Sequence, residues 1–164
     1  MKYFAYGSNM APARLRARVG HVGIVGVCML VGYDLRFHKK SLDGSAKCDA
    51  FRTGDPEDRI QGVVFELDTD EIAMLDRFEG VGDGYQRETV VVVDAGKMTL
   101  EAFTYTATRI ADSLQPFSWY KHHVLVGARS AGLDSDYIAS IESIPDQADP
   151  DRARAAREMS IYET

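Results

Sequence analysis

Tyr3-Phe4-Ala5-Tyr6-Gly7-Ser8-Asn9-Met10, near the start of the chain, decides how the rest is read. Tyr3 to Tyr6 form a short apolar strand pattern, Gly-Ser-Asn interrupts it, and Pro12 opens a run of Ala, Arg and Leu with helical character. The stretch therefore predicts a strand, a tight turn and the first turn of a helix. Such a turn gathers backbone N–H groups at the positive end of a helix dipole. Gly7 lets the main chain approach a ligand closely, and Ser8 or Asn9 can cap the helix. The product is a seat for a carboxylate or for a developing oxyanion. A small polar turn that merely reverses and caps the chain has the same spacing. The three glycines at fixed offsets that a dinucleotide site needs are absent.

A second feature lies downstream. Asp68-Thr69-Asp70-Glu71 supplies an N-cap and an acidic first turn, Ile72, Leu75 and Phe78 form an apolar stripe, and Gly80 stops the helix. Glu79 then sits in the last turn, where a carboxylate opposes the dipole at a cost of roughly 0.3–1 kcal/mol if exposed. Two accounts fit: a solvent-facing glutamate at a frayed end, or a carboxyl lodged beside Phe78 and Val81 and suited to proton transfer. Gly80-x-Gly82-x-Gly84 follows the helix instead of preceding it, so a mobile lid over Glu79 is expected in place of a phosphate loop.

The remaining chain reads as strands first and helices later. Val22–Leu30, Tyr33–Phe37, Cys48–Arg52 and Gln61–Leu67 are predicted strands, and Glu88–Asp94 with Met98–Thr106 a hairpin. Ser118–Ala131 and Ser135–Ile144 are predicted helices, and Pro150 begins a last Arg/Ala-rich segment. The pattern implies α+β around a curved or barrel-like sheet. A chain of 164 residues suits one domain over 1–145 with a helical appendage over 146–164.

The net charge of −6 gives no footprint for nucleic acid, and Arg14, Arg16 and Arg18 read as a solvated helix face. Val22–Val31 is too short to span a bilayer, and no apolar leader pattern opens the sequence. Cys28 and Cys48 fall in predicted strands, so free thiols and a cytoplasmic setting are expected. Adjacent His122 and His123 point in different directions and complete no metal spacing, while His21 and His38 stand isolated at strand edges. Ser8 has no nucleophile elbow around it. Asp43 and Asp49, in or beside the Lys39–Lys47 loop, are expected to edge a cavity.

Taken together, Tyr6-Gly7-Ser8-Asn9, Phe78-Glu79-Gly80-Val81 and Gly84-Tyr85 resemble the γ-glutamylcyclotransferase-like superfamily. The resemblance extends to Gln61-Gly62-Val63-Val64-Phe65, Tyr120, Gly127-Ala128 and Gly132-Leu133, and its last part is most similar to γ-glutamylcyclotransferase proper. It implies a small mixed β-barrel with flanking helices and a cavity at its mouth. It implies Glu79 as the catalytic acid and base, and Tyr6, Gly7, Ser8, Asn9 and Met10 as the loop that holds the glutamyl group. Tyr85 and Tyr120 are implied as further substrate-binding residues. The implied reaction releases 5-oxoproline and a free amine or amino acid, with no cofactor or metal, and a homodimer is within the family's range. Two alternatives stay open: a cyclotransferase for γ-glutamyl amines or a protected biosynthetic metabolite, and a non-catalytic domain that binds small ligands.

Overall fold

The computed structural model describes residues 1–163, and its sheet closes on itself. Strand β1 (Lys2–Ala5) leads through a 3-10 turn (Ser8–Met10) into helix α1 (Pro12–Val19). Strands β2 (Gly23–Val31), β3 (Tyr33–Lys40), β4 (Ala46–Arg52) and β5 (Arg59–Glu66) follow, then helix α2 (Thr69–Glu79). Strands β6 (Tyr85–Asp94) and β7 (Thr99–Ala107) complete the β part, and α3 (Ser118–Ala131), α4 (Ser135–Glu142) and α5 (Arg152–Ser160) end the chain. The protein is α+β, as its strand-then-helix order predicts.

The barrel runs β1-β5-β2-β6-β7, and a parallel contact of Tyr3 with Phe103 closes it. The β1–β5 ladder is antiparallel, with Phe4 opposite Val64. Between Ile24 and Gly26 the β2–β5 register shifts, a bulge that bends the sheet toward closure. Strand β2 meets β6 only at Cys28–Asp94 and Met29–Val93. Phe4, Leu30, Ile60, Val64, Phe65 and Val92 are fully buried in the core. The β3–β4 hairpin stands outside the barrel as its own two-stranded sheet.

Three local devices aim the chain at the barrel mouth. The capping box of α2 is complete: Asp68 Oδ1 accepts from the Glu71 N–H at 2.9 Å, and Glu71 Oε2 accepts from the Asp68 N–H at 2.8 Å. Gly80 then ends α2 in the left-handed region at φ 64°, so Glu79 is the last helical residue. Helix α3 presses on the 3-10 turn through Gly127, where a Cβ would lie 2.5 Å from the Ala11 nitrogen and from Met10 Cβ.

Some expectations are corrected. Residues 8–10 are a separate 3-10 turn, and α1 starts at Pro12 after Ala11, with no side-chain cap from Ser8 or Asn9. Arg14 and Arg18 do not form a solvated face: Arg14 is buried, Arg18 is half-buried, and of the three only Arg16 is exposed. Phe78 leaves the apolar stripe of α2 and is 57% exposed, with the Arg18 guanidinium stacked over its ring.

The segment after residue 145 is fastened to the rest. Asp149 accepts from Trp119 Nε1 at 2.8 Å and forms a two-pronged pair with Arg154. In α5, Glu158 accepts from Arg14 and from His123, whose other ring nitrogen bonds the Tyr162 hydroxyl. Both cysteines are free and buried. Among the described residues no helix is long and apolar enough to cross a membrane, and no group of His, Cys, Asp and Glu could hold a metal ion.

Candidate active site at the barrel mouth

The strand β1, the 3-10 turn and the end of α2 meet around a cavity of about 280 Å³, part of it open to solvent. It is lined by Gly7, Ser8 and Asn9 of the turn, by Glu79, and by Tyr3, Tyr6, Tyr85, Tyr105, Tyr120 and Cys48. Six of the seven residues assigned to substrate binding and the assigned acid/base thus lie together, although Glu79 is 70 residues from Asn9. Met10 is the exception. It is buried outside this cavity, and its N–H turns back to the Gly7 carbonyl at 3.1 Å, which removes it as a donor to any guest.

The turn does carry the expected donors. The N–H groups of Met10 and Ala11 close the 3-10 turn, whereas those of Gly7, Ser8 and Asn9 have no partner among the described residues. Gly7 sits in the tightest part: a Cβ there would lie 3.1 Å from Cys48 Cβ and 3.3 Å from the Tyr120 hydroxyl. Those two contacts give glycine a steric reason at this position. Ser8 is held from behind, where its Oγ accepts from Arg14 Nε at 3.0 Å.

Glu79 is neither frayed nor wrapped in apolar side chains. Phe78 and Val81 are exposed, and the carboxylate is 12% exposed between two donors. Its Oε1 accepts from Asn9 Nδ2 at 2.9 Å and from Arg18 at 2.8 Å, and Arg18 also reaches Asn9 Oδ1 at 3.2 Å. Oε2 has no hydrogen-bond partner among the described residues and is left for a guest. The i,i+4 spacing of Arg14 and Arg18 put both on one face of α1, a signal the sequence did contain. Arg14 supports the turn while Arg18 supports Glu79.

The tyrosines are donors and not bases. Burial raises the pKa of Tyr3, Tyr6, Tyr85 and Tyr120, and the Coulombic influence of Glu79 adds to that rise in Tyr3, Tyr85 and Tyr120. Burial pushes the Cys48 thiol up to about 12 despite its contact with Tyr120. Among the described residues, Glu79 is the only carboxyl in the wall. Tyr6 donates to the Tyr105 carbonyl, Tyr85 to the Cys48 carbonyl at 2.6 Å and Tyr105 to Asp76 at 2.7 Å. Tyr3 and Tyr120 instead accept, from Asn9 Nδ2 at 3.1 Å and from the Cys48 N–H at 3.0 Å. Their hydroxyl protons remain available to a polar guest.

Tyr3, Tyr105 and Cys48 are wall residues that sequence reasoning did not find. Tyr105 is hidden because Phe103 to Thr106 are all buried, so no alternation marks its face. Asp43 and Asp49 do not edge the cavity. Asp43 binds Ser45 and Lys47, and Asp49 accepts from the Ala107 N–H and bonds His38 at 2.7 Å. His38 is therefore partnered and not isolated. The Gly80–Gly84 loop is a hydrogen-bonded turn, tied by Gly84 N–H to Gly80 O at 2.8 Å and by Gly82 N–H to Tyr85 O at 2.9 Å.

A family model described as the AIG2-like family matches residues 59–141, half of the chain. The protein belongs to the AIG2-like family. The match contains Glu79, Tyr85 and Tyr120, and the Gly7-Ser8-Asn9 turn lies ahead of it. This AIG2-like chain is also similar to γ-glutamylcyclotransferase from Bos taurus, 29% identical over 150 residues that cover 87% of the chain and 77% of the relative. An uncharacterized human protein of known crystal structure superposes with a TM-score of 0.81 at 27% identity, covering 89% of this chain and 88% of the other. A solved structure named γ-glutamyl cyclotransferase shares the fold at a TM-score of 0.82 and 24% identity, over 95% of this chain and 98% of the other.

Proposed function

We propose that this AIG2-like protein is a γ-glutamyl cyclotransferase. The observation that carries the reading is the pairing of Glu79 with Asn9 in one small cavity that Gly7 and Ser8, residues of the same turn, also line. The likeness to proteins of that name supports it.

The substrate is a γ-glutamyl amide that carries its own nucleophile. Folding the glutamyl chain brings the α-amine to the γ-carbonyl carbon, and oriented intramolecular attack reaches effective molarities on the order of 10⁵–10⁸ M. The free N–H groups of Gly7, Ser8 and Asn9 are donors for the α-carboxylate or for the oxygen of the tetrahedral intermediate. Protonated hydroxyls of Tyr3 and Tyr120 add donors in a wall that supplies no second base.

Proton movement falls to Glu79 Oε2. As the new C–N bond forms, the α-nitrogen gives a proton to Oε2. As the old C–N bond breaks, Oε2 returns it to the leaving nitrogen. The products are 5-oxoproline and the free amine. Arg18 and Asn9 hold Oε1, so the carboxylate stays oriented through both transfers. The test is incubation of the purified protein with γ-glutamyl-alanine and detection of 5-oxoproline. Formation of alanine and 5-oxoproline in equal amounts is expected, and an intact substrate would reject the reading.

A further inference from the structure

Among the described residues, Arg18, Arg14, Lys47 and Arg109 near the cavity have polar partners and Lys39 does not. Arg18 serves Glu79 and Asn9, Arg14 serves Ser8 and Glu158, Lys47 binds Asp43 and Ser45, and Arg109 pairs with Asp83. Lys39 is 8% exposed, yet its ammonium has no hydrogen bond or ion pair among the described residues. Most of the side chain is packed away while the ammonium itself keeps contact with solvent, which leaves it open to an anionic guest.

Its place is specific. Nζ lies 4.7 Å from the centre of the Tyr85 ring, which is part of the cavity wall. It also rests against Gly84, where a Cβ would stand 3.0 Å from Nζ and 3.3 Å from the Glu79 carbonyl oxygen. The missing side chain at Gly84 is what lets the ammonium reach the rim beside the end of α2. Burial lowers the Lys39 pKa, and Glu79, Asp43 and Asp83 act against that shift while Arg109 adds to it. None of these carboxylates reaches the ammonium, so a ligand carboxylate would supply the pairing that the protein does not. In a chain of net charge −6, an anionic substrate also needs one local cation on its approach.

We propose that Lys39 is a specificity-determining residue that binds the α-carboxylate of the leaving amino acid, so that γ-glutamyl amino acids are favoured over γ-glutamyl amides without that charge. The proposal rests on the cyclotransferase reading and answers what the sequence left open, the nature of the leaving group. The glutamyl part lies on the Gly7-Ser8-Asn9 turn and the departing part extends toward the Gly84–Tyr85 rim.

The experiment compares kcat/KM for γ-glutamyl-alanine with that for its carboxamide, γ-glutamyl-alaninamide, which has the same shape and lacks the anion. A charge-assisted contact predicts that the native protein prefers the carboxylate by at least about tenfold. Lys39→Met should bring the ratio close to one, mainly through KM for γ-glutamyl-alanine, and Lys39→Arg should restore it. Because the readout is a ratio, damage to folding cancels. A native ratio near one, or a ratio unchanged in Lys39→Met, overturns the role of Lys39 and leaves the cyclotransferase reading standing. No 5-oxoproline from either substrate overturns both.

Discussion

Gly7 and Glu79 show how single residues carry the site. Gly7 is needed for space, since Cys48 Cβ and the Tyr120 hydroxyl crowd the position a Cβ would take. Gly7→Ala should keep the fold and raise KM for γ-glutamyl-alanine at least about tenfold, because the turn must move off the guest by a few tenths of an ångström. Unchanged KM would remove the turn from substrate binding. Much of this was legible: the residues 6–9 motif and Glu79 stand in the sequence as a broken strand and a carboxylate at a helix end. Arg18 was misread because residue type suggests solvent, while its true partner lies 61 residues away. Tyr3 and Tyr105 were missed for a similar reason, since nothing local shows that β1 and β7 lie side by side.

At the scale of elements, helix α3 and the 3-10 turn are held at backbone distance by Gly127. Gly127→Ala would place a methyl 2.5 Å from the Ala11 nitrogen and 2.6 Å from the Met10 carbonyl carbon, so one element has to shift. Overpacking of this kind costs about 1–3 kcal/mol, read as a fall in Tm of several degrees with a loss of activity beyond it. The sequence shows the helix well, with Gly132 at its end in the left-handed region at φ 70°. It does not show what the small residues in its middle face. The capping box of α2 was half visible as Asp68 with an acidic first turn, and the reciprocal bond from Glu71 completes it. By contrast, the 3-10 turn was read as the first turn of α1, because Pro12 only marks where helix can start.

α5 meets the rest of the molecule through titratable groups, which makes stability depend on pH. Burial opposes the charge of Glu158, yet the hydrogen bond from His123 and the charge of Arg14 outweigh it and hold its carboxyl at about 2, below the ordinary 4.5. Burial lowers the His123 pKa from 6.5, against the pull of Glu158. Both folded-state values lie below their unfolded ones, so both stabilising contributions are present at neutral pH and weaken as pH falls. The loss starts below about 6.5 as unfolded His123 gains a proton, and grows between about 4.5 and 2 as Glu158 is neutralised. Tm followed from pH 7 down to 3 should therefore drop, and Glu158→Gln should flatten the lower limb while lowering Tm at pH 7. A parallel pH profile in that variant would contradict the network. Such a link between the last helix and the first could not be read from sequence, where α5 is an Arg/Ala-rich segment with no apolar stripe. A barrel-like sheet is foreshadowed by the strand-then-helix order and by the resemblance, whereas the strand order β1-β5-β2-β6-β7 rests on long-range pairing and was out of reach.

The whole account turns on one carboxylate working above one turn of main chain. Its most direct test is the initial rate of 5-oxoproline formation from γ-glutamyl-alanine by the native protein and by Glu79→Gln, with Tm measured for each. The carboxamide keeps the size of the side chain and cannot relay a proton. The account predicts a Tm within a few degrees of native and a rate lower by about 10²–10⁴-fold or more. A folded Glu79→Gln protein that turns over γ-glutamyl-alanine at close to the native rate would contradict it.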